Sequence, residues 1–427
     1  MKITRREFLG IAASLSAAFP FLLTSQSCAP AVTPVDPANG LSLGYIVGDV
    51  TPDGAIVWLR AEPGSRLAIQ YGKNSELTEF VASDPVTVGQ NSDGTTQVQL
   101  QRLEPATIYY YRAVVAGKKP GPIARFLTAP KPDAAAVVKF CFSGDSREGY
   151  QPFRIMDAIN ANQPDFFIHL GDTIYADRGG RATRLEEFWA KYRDNRDAPS
   201  QRLFLDTSVY VVWDDHEVTD NYEGSPPLAV VGRKAFLNYW PVRREPEEVD
   251  RIYRSFRWGQ GLELFLLDAR QYRNHKRGTM LGKQQKEWLF DGLASSSALF
   301  KVIGTPVPFY SGGRDRWDGY PQERAELLQL IGQKKISGVV FICADLHYAA
   351  VFKIPGPLRL KQIVAGPIAA PMNVLASGNS RRFEFFSNKT FNFGMITIDP
   401  KSTVEQMIVE FKEENNRPLY RTTIAAV

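Results

Sequence analysis

Phe166-Phe167-Ile168-His169-Leu170-Gly171-Asp172-Thr173-Ile174-Tyr175 reads as a strand that stops at a glycine and a carboxylate. Working outward, the pattern recurs. Val137 to Phe142 is an apolar run ending in Ser143-Gly144-Asp145-Ser146-Arg147, and Phe153, Ile155, Met156, Ala158 and Ile159 then follow helical spacing. The helical pattern of Leu185 to Tyr192 precedes strand Val209 to Trp213, which ends in Asp214-Asp215-His216-Glu217. Leu262 to Leu267 ends in Asp268, and Val339 to Ile342 ends near Asp345-Leu346-His347. Five strands thus stop at an acidic residue. In sheets alternating with helices, ligand sites gather at the carboxyl ends of strands, so these acids are expected to converge. Turn chemistry alone accounts for Asp and Gly at one or two strand ends, and poorly for the whole set.

Histidine usage sharpens this. The chain has only four, and His169, His216 and His347 lie within three residues of those acids. His169, inside a strand, reads as a core histidine, whereas His216 and His347 read as functional. The fourth, His275, follows Arg270-Gln271-Tyr272-Arg273.

Upstream, residues 41–129 run in short alternating pieces: Leu43 to Val50, Ala55 to Leu59, Leu67 to Tyr71, Val86 to Val88, Thr96 to Leu100, Ile108 to Val115 and Ile123 to Leu127. Short strands separated by Gly, Pro and Asp turns predict a β-sandwich. Leu103-Glu104-Pro105-Ala106-Thr107-Ile108-Tyr109-Tyr110-Tyr111-Arg112 resembles the corner and strand of fibronectin type III domains, in which a tyrosine hydroxyl ties the corner to the backbone; Tyr109 is the candidate. Ala129-Pro130-Lys131-Pro132-Asp133 predicts a stiff linker to a second domain at 137–412, followed by a tail at 413–427.

At the start, Thr4-Arg5-Arg6-Glu7-Phe8-Leu9 precedes an uncharged stretch to Leu23 and resembles a twin-arginine export signal over residues 1–28. Fifteen residues of helix span roughly 22 Å, short of the ~30 Å hydrocarbon core, which disfavours a membrane span. Cys28 follows Ser27 where lipoprotein processing would leave it N-terminal, although Ser25 stands where Leu is usual; it is the candidate for a lipid anchor. Residues 29–40, with three prolines, read as a tether. The chain is therefore expected to be exported to the periplasm or cell surface, as a monomer.

Composition bounds the function classes. The 427 residues are 44% hydrophobic and 23% charged, which is ordinary for a globular protein. Lys and Arg number 51 against 46 Asp and Glu with no block of like charge, so no long nucleic acid partner is expected. Three cysteines, Cys28, Cys141 and Cys343, are too few for a disulfide framework and lack zinc-ribbon spacing.

Gly171-Asp172-Thr173-Ile174-Tyr175, Trp213-Asp214-Asp215-His216-Glu217 and Ala344-Asp345-Leu346-His347 together resemble the successive motifs of the calcineurin-like metallophosphoesterases. More closely, the chain resembles the alkaline phosphatase D family. Gly48-Asp49-Val50-Thr51-Pro52-Asp53-Gly54, Leu267 to Arg273 and Trp317-Asp318-Gly319-Tyr320 look like its other motifs, and the likeness covers roughly residues 40 to 410. It implies an α+β protein: a fibronectin-like β-sandwich, then a two-sheet β-sandwich flanked by helices carrying two metals.

Phosphate-ester hydrolysis needs a nucleophile at phosphorus, neutralised phosphoryl oxygens and a protonated leaving group, and two metals ~3.5–4 Å apart supply the first two by activating a bridging water. By resemblance, Asp172 bridges the metals, Asp145, Tyr175 and His347 bind the first, and Asp215 and Asp345 bind the second. In the related purple acid phosphatases the Tyr of a GDxxY string binds ferric iron. His216 is assigned to stabilising the phosphoryl oxygens or protonating the leaving group, with metal ligation as its alternative. Arg147 and Arg270 are candidate phosphate clamps or structural ion-pair partners. Asp214 and Asn221 are expected to stand behind the ligands.

Two departures from the family pattern bear on the metals. Asp145 stands where the family commonly has Cys, and Cys141, one strand turn back, is expected to face the core instead. No GHxH string is present, so the second site is rich in oxygen ligands, which favours Ca2+, Mn2+ or Mg2+ beside Fe3+, with Zn2+ least favoured. The expected substrate is a small phosphate ester or a cell-envelope phosphodiester. The rival readings are a nuclease-type phosphodiesterase, and an exported adhesion or binding protein whose acidic cluster is a structural metal site.

Overall fold

The structure is a computed structural model and describes residues 37–426. The expected export signal, Cys28 and residues 29–36 of the expected tether lie outside the described residues. The parallel strands Val138–Ser143, Phe166–Leu170 and Ser208–Val212 form the middle of a nine-stranded sheet. Period-two alternation divides their side chains between two layers. Phe166, Ile168, Leu170, Tyr210 and Val212 face a second sheet, while Phe167, Val209 and Val211 face helices.

The second sheet has seven strands, in the order Arg254–Trp258, Leu262–Leu266, Phe300–Gly304, Val339–Cys343, Lys361–Val364, Ala349–Lys353 and Phe383–Ser387. Its inward residues, among them Phe256, Trp258, Leu264, Val302 and Ile342, close one core with those of the first sheet. Helices Arg154–Ala161, Leu185–Asp194, Ala198–Asp206 and Pro227–Tyr239 cover the outside of the first sheet. Gly282–Ser295 and Pro321–Gln333 cover the outside of the second. The α+β arrangement and the flanked two-sheet sandwich agree with expectation.

The N-terminal module is a sandwich, but not a separate one. Leu41–Gly48, Gly54–Ala61 and Thr95–Gln101 continue the nine-stranded sheet, Gly48 pairing beside Val209, so the modules on either side of the expected boundary at 129 share this sheet. The module's other sheet comprises Val81–Ala82, Arg66–Gly72, Ile108–Val115 and Ala124–Leu127, with Val86–Thr87 added to Arg66–Gly72. Tyr109 does tie its corner, its hydroxyl accepting from the Glu104 N–H at 3.0 Å. The expected tail is also corrected: Pro418–Ala425 pairs with Gln406–Glu413 as the sheet's edge strand.

Candidate metal centre

The strand ends meet because their backbones turn sharply. Gly171 has φ +101°, and a Cβ there would lie 2.7 Å from the Asp214 Cβ, so only glycine lets these two ends touch. Asp145, Asp172, Asp345 and His347 all hold left-handed backbones, with φ of 63°, 51°, 64° and 54°. Each such residue costs of order 1–3 kcal/mol and persists only where its surroundings over-determine it. Here the Asp145 N–H donates to Gly171 O at 3.1 Å and the Ser146 N–H to Asp172 O at 2.9 Å. The buried Glu217 carboxylate accepts from the N–H groups of Asp172, Thr173 and Asp214 at 3.2, 2.6 and 2.9 Å, tying two strand ends together. Nothing in the residue pattern singled out Glu217 for this task.

Three buried carboxylates converge. Asp145, Asp172 and His347 form one group of donor atoms within 4.8 Å of one another, and Asp172, Asp215 and His216 form a second, so Asp172 is common to both. Burial, then the charges of Asp215, Asp214, Asp145 and Glu217, push the Asp172 pKa well above the carboxylate range. Tyr175 is buried with its hydroxyl 3.3 Å from His347 Nε2; burial and the charges of Asp172, Asp145 and Asp215 push its pKa up. His347 Nδ1–H donates to the Pro371 carbonyl at 2.5 Å, which turns Nε2 toward Asp145 Oδ1 at 3.6 Å. Burial opposes its protonation, but Asp145 and the Pro371 bond outweigh that and raise it to about 9.

His216 stacks on the Tyr175 ring at 4.3 Å and gives its Nδ1 to Asp177 Oδ1 at 2.8 Å. Asp177 is itself fixed by the Asp220 N–H at 2.9 Å. Against burial, the Asp177 bond and the charge of Asp215 hold the His216 pKa above its ordinary value. Asp177 escaped the sequence reading because a lone Asp before Arg178-Gly179-Gly180 reads as turn chemistry.

The arginines separate. Arg147 is half-buried, its guanidinium 5.8 Å from the Tyr175 ring centroid, with no carboxylate partner among the described residues. Arg270 is wholly buried and corrected from phosphate clamp to ion-pair partner: Nε meets Asp214 at 2.5 Å, Nη2 meets Asp215 at 3.5 Å, and both terminal nitrogens meet Asp315 at 2.9 Å. No edge of its guanidinium is left for a substrate. Asp214 thus stands behind the ligands as expected, and the Asn221 N–H donates to Asp215 Oδ2 at 2.6 Å.

Asp345 lies in neither tight group. Its Oδ2 accepts from Arg316 Nε at 2.8 Å, an arginine the sequence reading passed over, and the charge of Asp215 reaches it. Asp268 does not join the cluster; its carboxylate accepts from Trp213 Nε1 and the Arg270 and Gln271 N–H groups at 2.9, 3.0 and 3.0 Å. His275 accepts from Arg314 Nε at 2.7 Å, outside both groups. His169 is a core histidine, bonded to Ser146 Oγ at 3.1 Å. Cys141 and Cys343 are buried free thiols, and Cys141 faces the helix layer rather than the acids.

The residues fit a cation pair. Asp145 Oδ2 is buried without a hydrogen-bond partner among the described residues, and a Cβ on Gly366 would come within 2.6 Å of it, so glycine keeps that oxygen's approach open. Buried carboxylates without cationic partners cost heavily unless they hold a metal or a proton. Asp145, Asp172 and His347, with Tyr175 beside them, would hold one ion, and Asp172 and Asp215 the other, while Asp345 stays paired with Arg316.

Comparison with known proteins bears on the family and the fold. A family model described as PhoD-like phosphatase matches residues 138–373, and one described as its N-terminal domain matches 27–130. Alkaline phosphatase D of Bacillus subtilis (strain 168) is 26% identical over 376 residues, 72% of this chain and 64% of that protein, so the chain spans less than two thirds of this relative's length. A solved structure of PhoD superposes with a TM-score of 0.79 at 20% identity, covering 92% of this chain and 94% of that one. Purple acid phosphatase PPD1 from yellow lupin (Lupinus luteus) seeds gives 0.69 at 15% identity, covering 89% and 74%. At these identities the two structures speak for the fold, and the family models, the first matching more than half the chain, speak for descent: the chain belongs to the PhoD-like phosphatase family.

Proposed function

We propose that the protein is an exported, metal-dependent hydrolase of phosphate esters. The observation that carries this reading is the convergence of Asp145, Asp172 and Asp215, buried together with an oxygen left unpartnered. When bound there, a pair of cations supplies charge neutralisation and an activated water. The oxygen-rich ligand set favours ferric iron with Ca2+, Mn2+ or Mg2+ over Zn2+.

The chain's own groups supply the rest. Asp177 fixes the His216 ring through Nδ1, leaving Nε2, 4.0 Å from Asp220, to give a proton to the departing alkoxide. Arg147 has no carboxylate to satisfy among the described residues and is placed to pair with phosphoryl oxygens. Arg270 and Arg316 act from behind, holding Asp214, Asp215 and Asp345 in place. A structural metal site would leave His216 and Arg147 without a use, which weighs against the adhesion reading. Export by residues 1–28, a lipid anchor at Cys28 and a monomeric state belong to the same proposal.

The test is to assay the purified protein on paired monoester and diester substrates while measuring its metals by elemental analysis. Ester hydrolysis that falls with chelation and returns with cations is expected; a metal-bearing protein inert on both substrates would favour the binding-protein reading.

A further inference from the structure

The rim of the carboxylate cluster on the His347 side is residues 371–376. Besides the His347 bond to Pro371, the Asn373 N–H donates to the His347 carbonyl at 3.2 Å. From the other side the Asn388 amide donates to the carbonyls of Asn373 and Ala376 at 2.9 and 3.1 Å. The rim backbone is therefore tied at both ends, and the side chains between these ties point out: Val374 is 74% and Leu375 93% exposed. Leu375 is the most exposed large apolar side chain among the described residues.

One exposed aliphatic residue means little, since most surfaces carry some. Here two are adjacent, on a braced backbone, in a stretch of one charge sign. Between Asp345 and Glu384 the chain has no acidic residue, yet carries Lys353, Arg359, Lys361, Arg381 and Arg382, and Lys389 follows Asn388. Lys361 is paired with Glu384 at 2.9 Å. Arg381, Arg382 and Lys389 are exposed and have no carboxylate partner among the described residues. Lys389 lies next to the residue that braces the rim, and Arg381 and Arg382 close the far end of the same loop.

An apolar tip flanked by basic side chains without carboxylate partners matches the boundary of an anionic bilayer, where aliphatic groups enter the acyl edge and Lys and Arg meet lipid phosphates. Two aliphatic side chains are too little apolar area for a stable protein interface, which buries about 800 Å² on each partner. We infer that the 371–390 rim docks on an anionic lipid surface and holds the carboxylate cluster against it. This inference stands apart from the catalytic reading, because it concerns adsorption rather than turnover.

The test uses the full chain with Leu375→Trp and vesicles of phosphatidylglycerol and phosphatidylcholine containing brominated lipid. Of the seven tryptophans, Trp58, Trp213, Trp240, Trp258 and Trp317 are fully buried, and the unsubstituted chain gives the background from Trp189 and the partly buried Trp288. Extra quenching relative to the unsubstituted chain is expected with the anionic vesicles and not with phosphatidylcholine alone, and reducing the positive charge with Arg381→Glu and Lys389→Glu should abolish it. The pair Val374→Ser and Leu375→Ser should weaken the anionic-vesicle component of binding by about tenfold or more. Its turnover of a small soluble ester should stay unchanged. No extra quenching of the added indole by either vesicle, or an oligomer that dissociates in the serine variant, would overturn the proposal, the latter in favour of a second copy of the chain.

Discussion

Gly48-Asp49 and Gly171-Asp172 are the same dipeptide at the ends of two strands of one sheet, and both aspartates are buried with φ near +50°, at 45° and 51°. Their surroundings differ in sign. Asp49 receives the Arg254 guanidinium through bonds of 2.8–3.0 Å and the Arg243 N–H at 2.6 Å, so each oxygen is satisfied within the protein. Asp172 faces Asp145, Asp214, Asp215 and Glu217, and its Oδ1 accepts from the His216 N–H at 3.2 Å. The same local chemistry makes an internal ion pair where an arginine lies opposite, and a cation ligand where carboxylates do. What a strand-end aspartate does is decided by charges brought in from distant parts of the chain.

The contrast breaks first at Asp172. Asp172→Ala should lower ester turnover by about 10³-fold or more, because the charge neutralisation it helps hold is worth several kcal/mol; steady-state assay on purified variant checks this. Next comes His216→Ala, which should cost about 10²–10⁴-fold in kcat while bound metal stays the same. Loss of metal with His216 would instead make it a ligand.

Asp49→Ala should leave turnover per folded molecule unchanged and destabilise the fold by about 3–5 kcal/mol, since Arg254 is left buried and unpaired. Urea unfolding in chelator sharpens the difference. Asp49→Asn should lower the midpoint, whereas Asp172→Asn should hold or raise it by removing a carboxylate from among its own kind.

The smallest effect separates the core histidine from the catalytic one. Burial first, then the charge of Arg196, lowers the His169 pKa to about 3, so the folded protein keeps it neutral. The unfolded chain protonates near 6.5, so below that pH the unfolded state binds a proton the native state refuses, and stability falls as pH drops toward 3. The His169 share is about 2 kcal/mol between pH 7 and pH 5. His169→Gln should flatten that part of the stability profile.

The strand-end acids, the Tyr109 corner and the core role of His169 were legible because each is written in local order: an apolar run, a turn, a side chain at a fixed offset. Sheet continuity was not. Gly48 and Val209 are far apart in the chain, and alternation says which face a residue takes but not which strand lies beside it. The partners of Arg270 were illegible for the same reason, since Asp214 and Asp315 lie 56 and 45 residues away. A phosphate clamp and a buried brace look alike in one dimension. Glu217 and Asp177 act on neighbours folded against them, so their tasks could be read only from the assembled loops.

The central claim, that the carboxylates around Asp172 are a cation site, is tested most directly by equilibrium dialysis of chelator-stripped protein against Ca2+ and iron. The account predicts at least two bound equivalents in the wild type and in Asp49→Asn. In Asp172→Asn it predicts fewer than in either of those. Equal binding by Asp172→Asn and the wild type, or no binding by any of the three, would contradict it.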